Sequence, residues 1–261
     1  MRDLDISHGS LMELARDVTI AAKTDSGSCS YFEADTSLCA IHRVGGHASL
    51  PVSCRMFPRS VLIDARGTFV SLSHFCPTAA ALLFQPGPPA AIVEAPATLV
   101  DVGPLDGLDA RSAWPPLLRP GVLMDLESYG AWENFGVELL TRDGVAPDAS
   151  LAALERVAAR IASWTADEGP LIERVRDAFR AMVLPRGVLA PHDVAVKRWL
   201  AARSFACWIA YQKDGIAEIV RYLRSCLETF AGELARDDNA LEAIRRADHT
   251  VMHTEPCIYK Q

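Results

Sequence analysis

Four cysteines in the first third of the chain carry the strongest chemical signal in the sequence. They are Cys29, Cys39, Cys54 and Cys76, with 9, 14 and 21 residues between successive members. Each lies in a short, turn-rich context, whereas a cysteine that only fills a core usually lies on an apolar face of a helix or strand. Thiolates are ligands for zinc and for iron–sulfur clusters. The pattern therefore favours a shared metal ion or cluster.

The spacing by itself leaves alternatives open, because it differs from the C-x2-C pairs of zinc fingers and the C-x2-C-x2-C run of ferredoxins. His42 follows Cys39 by three residues and His74 precedes Cys76 by two. Four arginines are also near in sequence: Arg43, Arg55, Arg59 and Arg66. Such cations would offset the negative charge of a thiolate centre. Four unrelated buried thiols are the main alternative. Disulfides are a weaker one, since the chain has seven cysteines.

The other candidate residues carry weaker signals. Cys207 and Cys226 lie in apolar helical segments, which predicts core packing. His249 and His253 are four residues apart, so a helix would place both on one face where they could chelate a metal. The glutamate of HExxH is missing, however, because the sequence reads HTVMH. An aromatic run is expected to lie in one helix and to pack in a core or an interface: Trp199, Phe205, Trp208 and Tyr211.

Composition and charge indicate a folded protein with no affinity for nucleic acid. The 261 residues are 50% hydrophobic and 23% charged, and the net charge is −7. A nucleic-acid surface normally needs a basic face. No apolar run reaches the eighteen or so residues of a membrane span, and the first residues lack the basic and apolar regions of a signal peptide. We therefore expect no membrane partner and a cytoplasmic location, where reducing conditions keep thiols available as ligands.

The first of three predicted regions is an irregular cysteine-cluster domain over residues 1–85. The segment LMELARDVTIAA predicts a helix over residues 11–22. The segment SVLIDARGTFVSLS predicts a short β-hairpin, because two apolar runs flank a turn that ends at Gly67. Pairing of its strands would bring Cys54 and Cys76 near each other.

The rest of the chain is predicted to be a connector followed by helices, so that the protein as a whole is mostly α. Residues 86–121 form an extended connector without regular structure, since nine of the sixteen prolines lie between Pro77 and Pro120. Residues 122–261 form an antiparallel helical bundle. Apolar periodicity predicts its helices at 123–142, 151–164, 170–183, 192–213, 215–236 and 238–249. Asp148 or Ser150 is expected to cap the second of these helices.

The cysteine-rich segment resembles a known family. The string LCAIHRVGGHASLPVSCRMFPRSVLIDARGTFVSLSHFCPTAAALLF is similar to the cysteine-cluster domain of the flagellin lysine-N-methylase group, within the bacterial YkgJ-type zinc- or iron-chelating proteins. The shared elements are C-x-I-H, P-x-x-C-R-x-F-P-R and L-S-x-x-C-P-T-A-A. Two helical segments, FACWIAYQKDGIAEIVRYLR and AIRRADHTVMH, extend the resemblance over about residues 28–255.

The resemblance implies a metal centre and a methyl-transfer activity. Four cysteines carry over as ligands of zinc or a [4Fe–4S] cluster: Cys29, Cys39, Cys54 and Cys76. The implied enzyme is a protein-lysine N-methyltransferase that acts on a flagellin-like protein. A separate hypothesis, which the resemblance does not supply, is that a methyl donor such as S-adenosylmethionine binds beside the centre, with Arg55 or Arg59 holding its carboxylate through a bidentate contact.

One departure from the family pattern affects the ligand count. Family members usually carry a further C-x-x-C-C group upstream, whereas residues 1–28 contain no cysteine. The start is therefore truncated or the centre has fewer ligands, and four thiolates suffice for one Zn²⁺ or one [4Fe–4S] cluster. The chain also shows no G-x-G-x-x-G loop after a strand and no C-x3-C-x2-C radical motif.

The alternative function is that of a non-catalytic module. In it the metal centre has a structural role and holds the loop-rich half of the chain onto the helical half.

Overall fold

A computed structural model describes residues 11–15, 18–21, 24–25, 29–36, 38–95, 107–212 and 214–254. Most of the regular structure in these residues is helical, so the protein is mostly α, as predicted. The contacts within the chain divide it into two units, Met1–Phe57 and Pro58–Gln261. None of the helices in the described ranges is both long enough and apolar enough to cross a bilayer.

The first unit contains two small hairpins and two short helices. Its elements are β1 (Leu11–Ala15), β2 (Val18–Ala21), β3 (Phe32–Glu33), β4 (Leu38–Cys39), α1 (Ala40–Gly45) and α2 (Val52–Met56). β1 pairs antiparallel with β2, and β3 pairs antiparallel with β4. The predicted helix over residues 11–22 is therefore wrong. Residues 18–20 read Val-Thr-Ile, and three consecutive β-branched side chains favour a strand because they lose rotamer freedom in a helix.

Residues 29–36 and 38–57 of the first unit bury little apolar surface. Tyr31 is the one apolar side chain buried within these two ranges, at 7% exposure. Five large apolar side chains are exposed instead: Phe32, Leu38, Val44, Val52 and Phe57. A segment this small that buries so little apolar surface needs stabilisation from outside its own side chains.

The second unit begins with the predicted hairpin and continues into the helices. Its elements are β5 (Arg59–Asp64), β6 (Gly67–Leu72), α3 (Pro77–Leu83), β7 (Leu108–Asp109), β8 (Leu117–Arg119), β9 (Val122–Leu123), α4 (Leu126–Leu140), α5 (Pro147–Ala162), α6 (Leu171–Arg180), α7 (Asp193–Ser204), α8 (Ile216–Asp237) and α9 (Ala240–Thr254). The hairpin is confirmed, since β5 pairs antiparallel with β6 along its whole length. The unit boundary falls after Phe57, whereas the sequence predicted a boundary at residue 85.

The predicted connector is partly ordered. Residues 84–95 contain neither helix nor strand, in agreement with their proline content. The Arg198 guanidinium on α7 binds this segment by donating to four carbonyl oxygens, those of Leu83, Gln85, Gly87 and Pro88. Further along, β7 pairs in parallel with β5, and β8 pairs with β9. The expectation of an entirely irregular connector is therefore wrong, because the prolines lie outside these strands and leave their backbone donors intact.

Helices α4 to α9 pack around one apolar core. α4 begins at Asp125, whose carboxylate accepts a 2.8 Å hydrogen bond from the backbone N–H of Ser128. α5 begins one residue before the predicted cap Asp148, because Pro147 occupies its first position, where a missing N–H is tolerated. The largest fully buried apolar side chains include Trp199, Tyr129, Leu118, Met124, Leu140 and Leu151.

The predicted helix over residues 192–213 forms two separate elements. α7 ends at Ser204, and a 3-10 turn covers Trp208–Tyr211. Between them Ala206 has a φ of 50°, and its backbone N–H donates a 2.9 Å hydrogen bond to the Glu133 carboxylate. The aromatic run is thus divided between a helix and a turn. A contact with α4, distant in sequence, ends a helix that local propensity would have continued.

Candidate metal centre

The β3–β4 hairpin folds Cys29 and Cys39 to its open end. Cys39 is the last residue of β4 and pairs with Phe32 in β3. Cys29 lies one turn before Phe32, because its carbonyl oxygen accepts a 3.0 Å hydrogen bond from the Phe32 N–H. Cys29 is exposed and Cys39 is half-buried. Both thiols are therefore near the surface, where an ion can reach them.

Cys54 lies in α2 and interacts electrostatically with the other two thiols. The pKa of the Cys54 thiol is raised, first because neighbouring atoms remove part of its hydration. A hydrogen bond with Ser53 lowers the pKa, whereas thiolates at Cys29 and Cys39 would raise it further by repulsion. Charges act on one another in this way only across a short distance. Three of the four predicted ligands are therefore within electrostatic reach of one another in the first unit.

The first unit also contains two imidazoles close to each other. His42 and His47 are exposed, and their ring centroids are 6.3 Å apart. Arg43 is paired with Glu33 through hydrogen bonds of 2.6 and 2.9 Å, so a carboxylate already balances its charge. Across the residues that the structure describes, no three His, Cys, Asp or Glu side chains are arranged to hold a metal ion as they stand. The thiols are neighbours rather than a preassembled coordination shell.

Cys76 belongs to the second unit, where it precedes α3 as its N-cap and is half-buried. The loop before it is held by Asp248 on α9, which accepts hydrogen bonds of 3.1 Å from the Ser73 hydroxyl and from the Phe75 N–H. Cys54 and Cys76 fall in different units. Their predicted proximity therefore stays a prediction, and so does the role of Cys76 as a fourth ligand.

The arginines proposed to hold a cofactor also fall in different units. Arg55 lies in α2, and Arg59 is the first residue of β5, so their binding of S-adenosylmethionine stays a prediction. Arg66 forms salt bridges of 2.7 Å with Asp64 and 2.6 Å with Glu133 inside the second unit. The expectation that Arg66 would offset the charge of the thiolates is therefore corrected: two carboxylates of its own unit balance it.

The weaker candidates of the sequence lie in the helical unit. Cys207 and Cys226 are buried, as predicted, and burial raises the pKa of the Cys226 thiol to about 12. α9 contains both histidines of the HTVMH segment, and the ring of His249 packs against Phe75 at 4.6 Å. The terminal Cys257 lies outside the described residues.

The sequence did not reveal a buried polar cluster around Asp248. This carboxylate is fully buried, accepts a 2.8 Å hydrogen bond from the indole N–H of Trp199, and lies 3.5 Å from the guanidinium of Arg203. His74, expected beside a metal, is buried in the same unit and its Nδ1 has no hydrogen bond. Burial lowers the pKa of His74 to about 4, the positive Arg203 lowers it further, and Asp248 opposes them. In the sequence, only the position of Asp248 within a segment of helical periodicity could have indicated this buried cluster.

No model of a known protein family, no curated protein and no solved structure matches this chain. The resemblance to the flagellin lysine-N-methylase group, and the methyl transfer that it implies, therefore stay predictions. The arrangement of thiols in the first unit is the observation on which a proposal about function can be built.

Proposed function

We propose that the first unit binds a zinc ion or a [4Fe–4S] cluster through Cys29, Cys39 and Cys54, and that this centre stabilises the unit. One observation carries the proposal: the charges of the three thiols act on one another in a segment, residues 29–36 and 38–57, whose single buried apolar side chain is Tyr31. Ordering the backbone costs about 1–2 kcal/mol per residue, and one buried tyrosine does not offset that cost for this segment. A structural zinc ion contributes about 10–16 kcal/mol of binding free energy.

The chemistry of the donors fits such a centre. Thiolates are the ligands preferred by zinc and by iron–sulfur clusters, and both groups usually take four protein ligands. Cys76 is the predicted fourth thiolate. His42 is the candidate from the first unit, since it is exposed and follows Cys39 by three residues. When bound, the metal would supply the positive charge that holds the thiolates together, and the β3–β4 hairpin with α2 would position them.

Metal analysis of the intact protein tests the proposal directly. The full chain is purified without oxygen, and zinc, iron and acid-labile sulfide are measured per chain together with the visible spectrum. We expect either about one zinc and no visible absorption, or about four iron and four sulfide with visible absorption. A well-folded preparation that contains neither zinc nor iron and does not take them up would overturn the proposal.

Substitution of single cysteines identifies the ligands. Cys29→Ser, Cys39→Ser and Cys54→Ser are each expected to lose most of the bound metal. Cys226→Ala is the control, because its thiol is enclosed in the helical unit, and this variant is expected to retain the metal. Full metal content in all three serine variants would contradict the assignment.

The fourth ligand is resolved by the same assay. Cys76→Ser and His42→Ala are compared, and the variant that loses metal marks the fourth position. Loss in Cys76→Ser alone would support the ligand set implied by the family resemblance. Loss in His42→Ala alone would indicate a Cys3His zinc site.

A further inference from the structure

A cavity of 420 Å³ opens between α4 and α6 in the second unit. Phe135 and Leu139 from α4 and Phe179 from α6 provide its apolar lining. Phe179 packs between Trp132 and Phe135, with ring centroids 5.6 and 5.5 Å away. The volume is in the range of small-molecule sites, roughly 300–1,000 Å³. The cavity therefore has the size for a small ligand, and the half-buried Phe135 leaves more aromatic surface free than Phe179, which is buried.

The charged side chains that line this cavity are mostly basic. They are Arg142, Arg176 and Arg180 against a single lining carboxylate, Glu138. Carboxylates outside the lining already pair with two of these arginines. An anion is therefore attracted chiefly by the third, Arg142.

Two of the arginines are held only by exposed ion pairs. Arg176 donates to Glu173 at 2.7 Å and lies 3.9 Å from Glu127, and Arg180 donates to Asp177 at 2.8 Å. Exposed pairs of this kind contribute about 0–1 kcal/mol. An anionic group in the cavity could therefore replace these carboxylates at little cost.

Arg142 has no acidic partner among the residues that the structure describes. The hydrogen bonds that it makes involve its backbone: its N–H donates to the Leu139 carbonyl at 3.4 Å, and its carbonyl accepts from the Lys197 ammonium at 2.8 Å. Its guanidinium lines the cavity with its donors available. A guanidinium presents donors in a planar fork that matches carboxylate, sulfonate and phosphate groups.

A second and larger cavity, of 680 Å³, has the opposite character. Its lining contains four carboxylates: Asp148, Asp193, Glu228 and Asp238. Its arginine, Arg224, is bound to Asp148 and Glu155. An anion would be repelled there, so the preference for anions is particular to the α4–α6 cavity.

We propose that the α4–α6 cavity binds a small aromatic anion. The aromatic body packs on Phe135 and Phe179, and its anionic group binds Arg142 and Arg180. Aromatic rings favour offset or edge-on contacts with such a body. Glu138 on the same rim disfavours ligands with several negative charges, so a monoanion is preferred. This inference is independent of the metal centre in the first unit.

Titration with 8-anilinonaphthalene-1-sulfonate, an aromatic monoanion whose fluorescence rises in apolar sites, tests the proposal on the full chain. We expect saturable binding that naphthalene-2-carboxylate and naphthyl phosphate displace, and the better competitor identifies the preferred anionic group. Neutral 2-naphthol and inorganic phosphate alone should displace the dye poorly, because each provides one half of the interaction.

Variants locate the binding. The double variant Arg142→Gln/Arg180→Gln is expected to weaken dye binding at least about tenfold, since each hydrogen bond to a charged group contributes about 1.5–3 kcal/mol. Arg156→Gln, an exposed arginine on α5 outside both cavities, should leave binding unchanged. Glu138→Gln should tighten binding about twofold to threefold. Dye that binds the double variant as tightly as the wild type, while near-ultraviolet circular dichroism shows both to be folded, would overturn the proposal.

Discussion

The carboxylate of Asp248 accepts a 2.8 Å hydrogen bond from the indole nitrogen of Trp199, and both side chains are fully buried. The other carboxylate oxygen accepts hydrogen bonds of 3.1 Å from the Ser73 hydroxyl and the Phe75 N–H. One residue of α9 therefore binds both α7 and the loop that leads into α3. That loop carries Cys76, so Asp248 also determines how firmly this cysteine is held within its unit.

Asp248→Asn is expected to destabilise the second unit by about 3–5 kcal/mol, because it removes the negative charge beside the buried cation of Arg203. Unfolding in urea gives the difference in free energy, and hydrogen exchange at the Phe75 amide should accelerate. Asp177→Asn, on the exposed face of α6, is the control and should cost less than about 1 kcal/mol. Equal midpoints for the two variants would contradict this role of Asp248.

Arg66 is expected to be essential for attaching the β5–β6 hairpin to the helices. Its guanidinium lies over the rings of Phe69 and Tyr129, at 4.6 and 4.8 Å from their centroids, and binds Asp64 and Glu133. Arg66→Met leaves two buried carboxylates without a cation and should cost about 3–5 kcal/mol. The double variant Arg66→Met/Glu133→Gln should recover part of that loss in urea unfolding. A double variant no more stable than Arg66→Met would show that the charges are not coupled.

The Arg66→Met variant should also respond to pH in a defined direction. Burial raises the pKa of Glu133, and Arg66 opposes that rise. Without Arg66 the pKa of the folded state moves further above the unfolded value of about 4.3. The free energy of unfolding of the variant is then closest to that of wild type at pH 4, and the difference grows as pH rises through the folded pKa of Glu133. Urea midpoints at several pH values between 4 and 7 test this, and a gap to wild type that does not change with pH would contradict it.

Alanine substitutions at two glycines with positive φ distinguish the cost of backbone strain from the cost of steric overlap. Gly215 has a φ of 62°, and a Cβ there would overlap the carbonyl oxygen of Leu117. Gly121 has a φ of 77°, with open space around the same position. Alanine costs about 1–2 kcal/mol in this conformation at either site. Gly215→Ala should therefore lower the free energy of unfolding by at least about 2 kcal/mol more than Gly121→Ala. Thermal unfolding of both variants tests this prediction. Equal Tm values would show that a Cβ at residue 215 does not overlap Leu117.

The helical core should lose stability at alkaline pH. Burial raises the pKa of Cys226 to about 12 and holds the pKa of Tyr129 and Tyr222 well above its ordinary value. An unfolded cysteine ionises near pH 8.5 and a tyrosine near pH 10. Stability is thus complete below these values and falls as pH rises towards the folded pKa, because only the unfolded state loses protons.

Variants assign this alkaline loss to individual groups. In urea midpoints from about pH 7 to 11, Cys226→Ala should show a flatter decline than wild type from about pH 8.5. Tyr129→Phe should differ in slope from wild type only near pH 10 and above. Parallel curves for wild type and Cys226→Ala would show that the thiol does not contribute.

Removal of the proposed metal should unfold the first unit alone. Trypsin can cleave after Arg43 and Arg55. We expect these sites to be resistant in the metal-bound protein and to be cut rapidly after chelation, since the bound ion supplies the folding free energy of this unit. The second unit, with its own core, should survive as a large fragment. Cys29→Ser is the matched control and should be cut rapidly with or without chelator. Resistance that persists after complete removal of metal would contradict a structural role.

The sequence was sufficient wherever a local pattern decides the structure. The β5–β6 hairpin follows from two apolar runs around a two-residue turn, and the buried positions of Cys207 and Cys226 follow from their apolar helical context. The positions of helices α4, α5, α6, α8 and α9 were predicted to within about five residues, because helical periodicity reports burial on one face of each element. The end of α7 was not predicted. The β3–β4 hairpin that positions Cys39 was not predicted.

Tertiary structure decided what depends on contacts between residues distant in sequence. The end of α7 depends on a hydrogen bond from Ala206 to Glu133, and the partners of Arg66 and Asp248 lie on elements far along the chain. Arg142 and Phe179 line one cavity only because α4 packs on α6. Local propensity does not predict such pairings, because each is stabilised by burial and by charge interactions that form only once the helices have assembled.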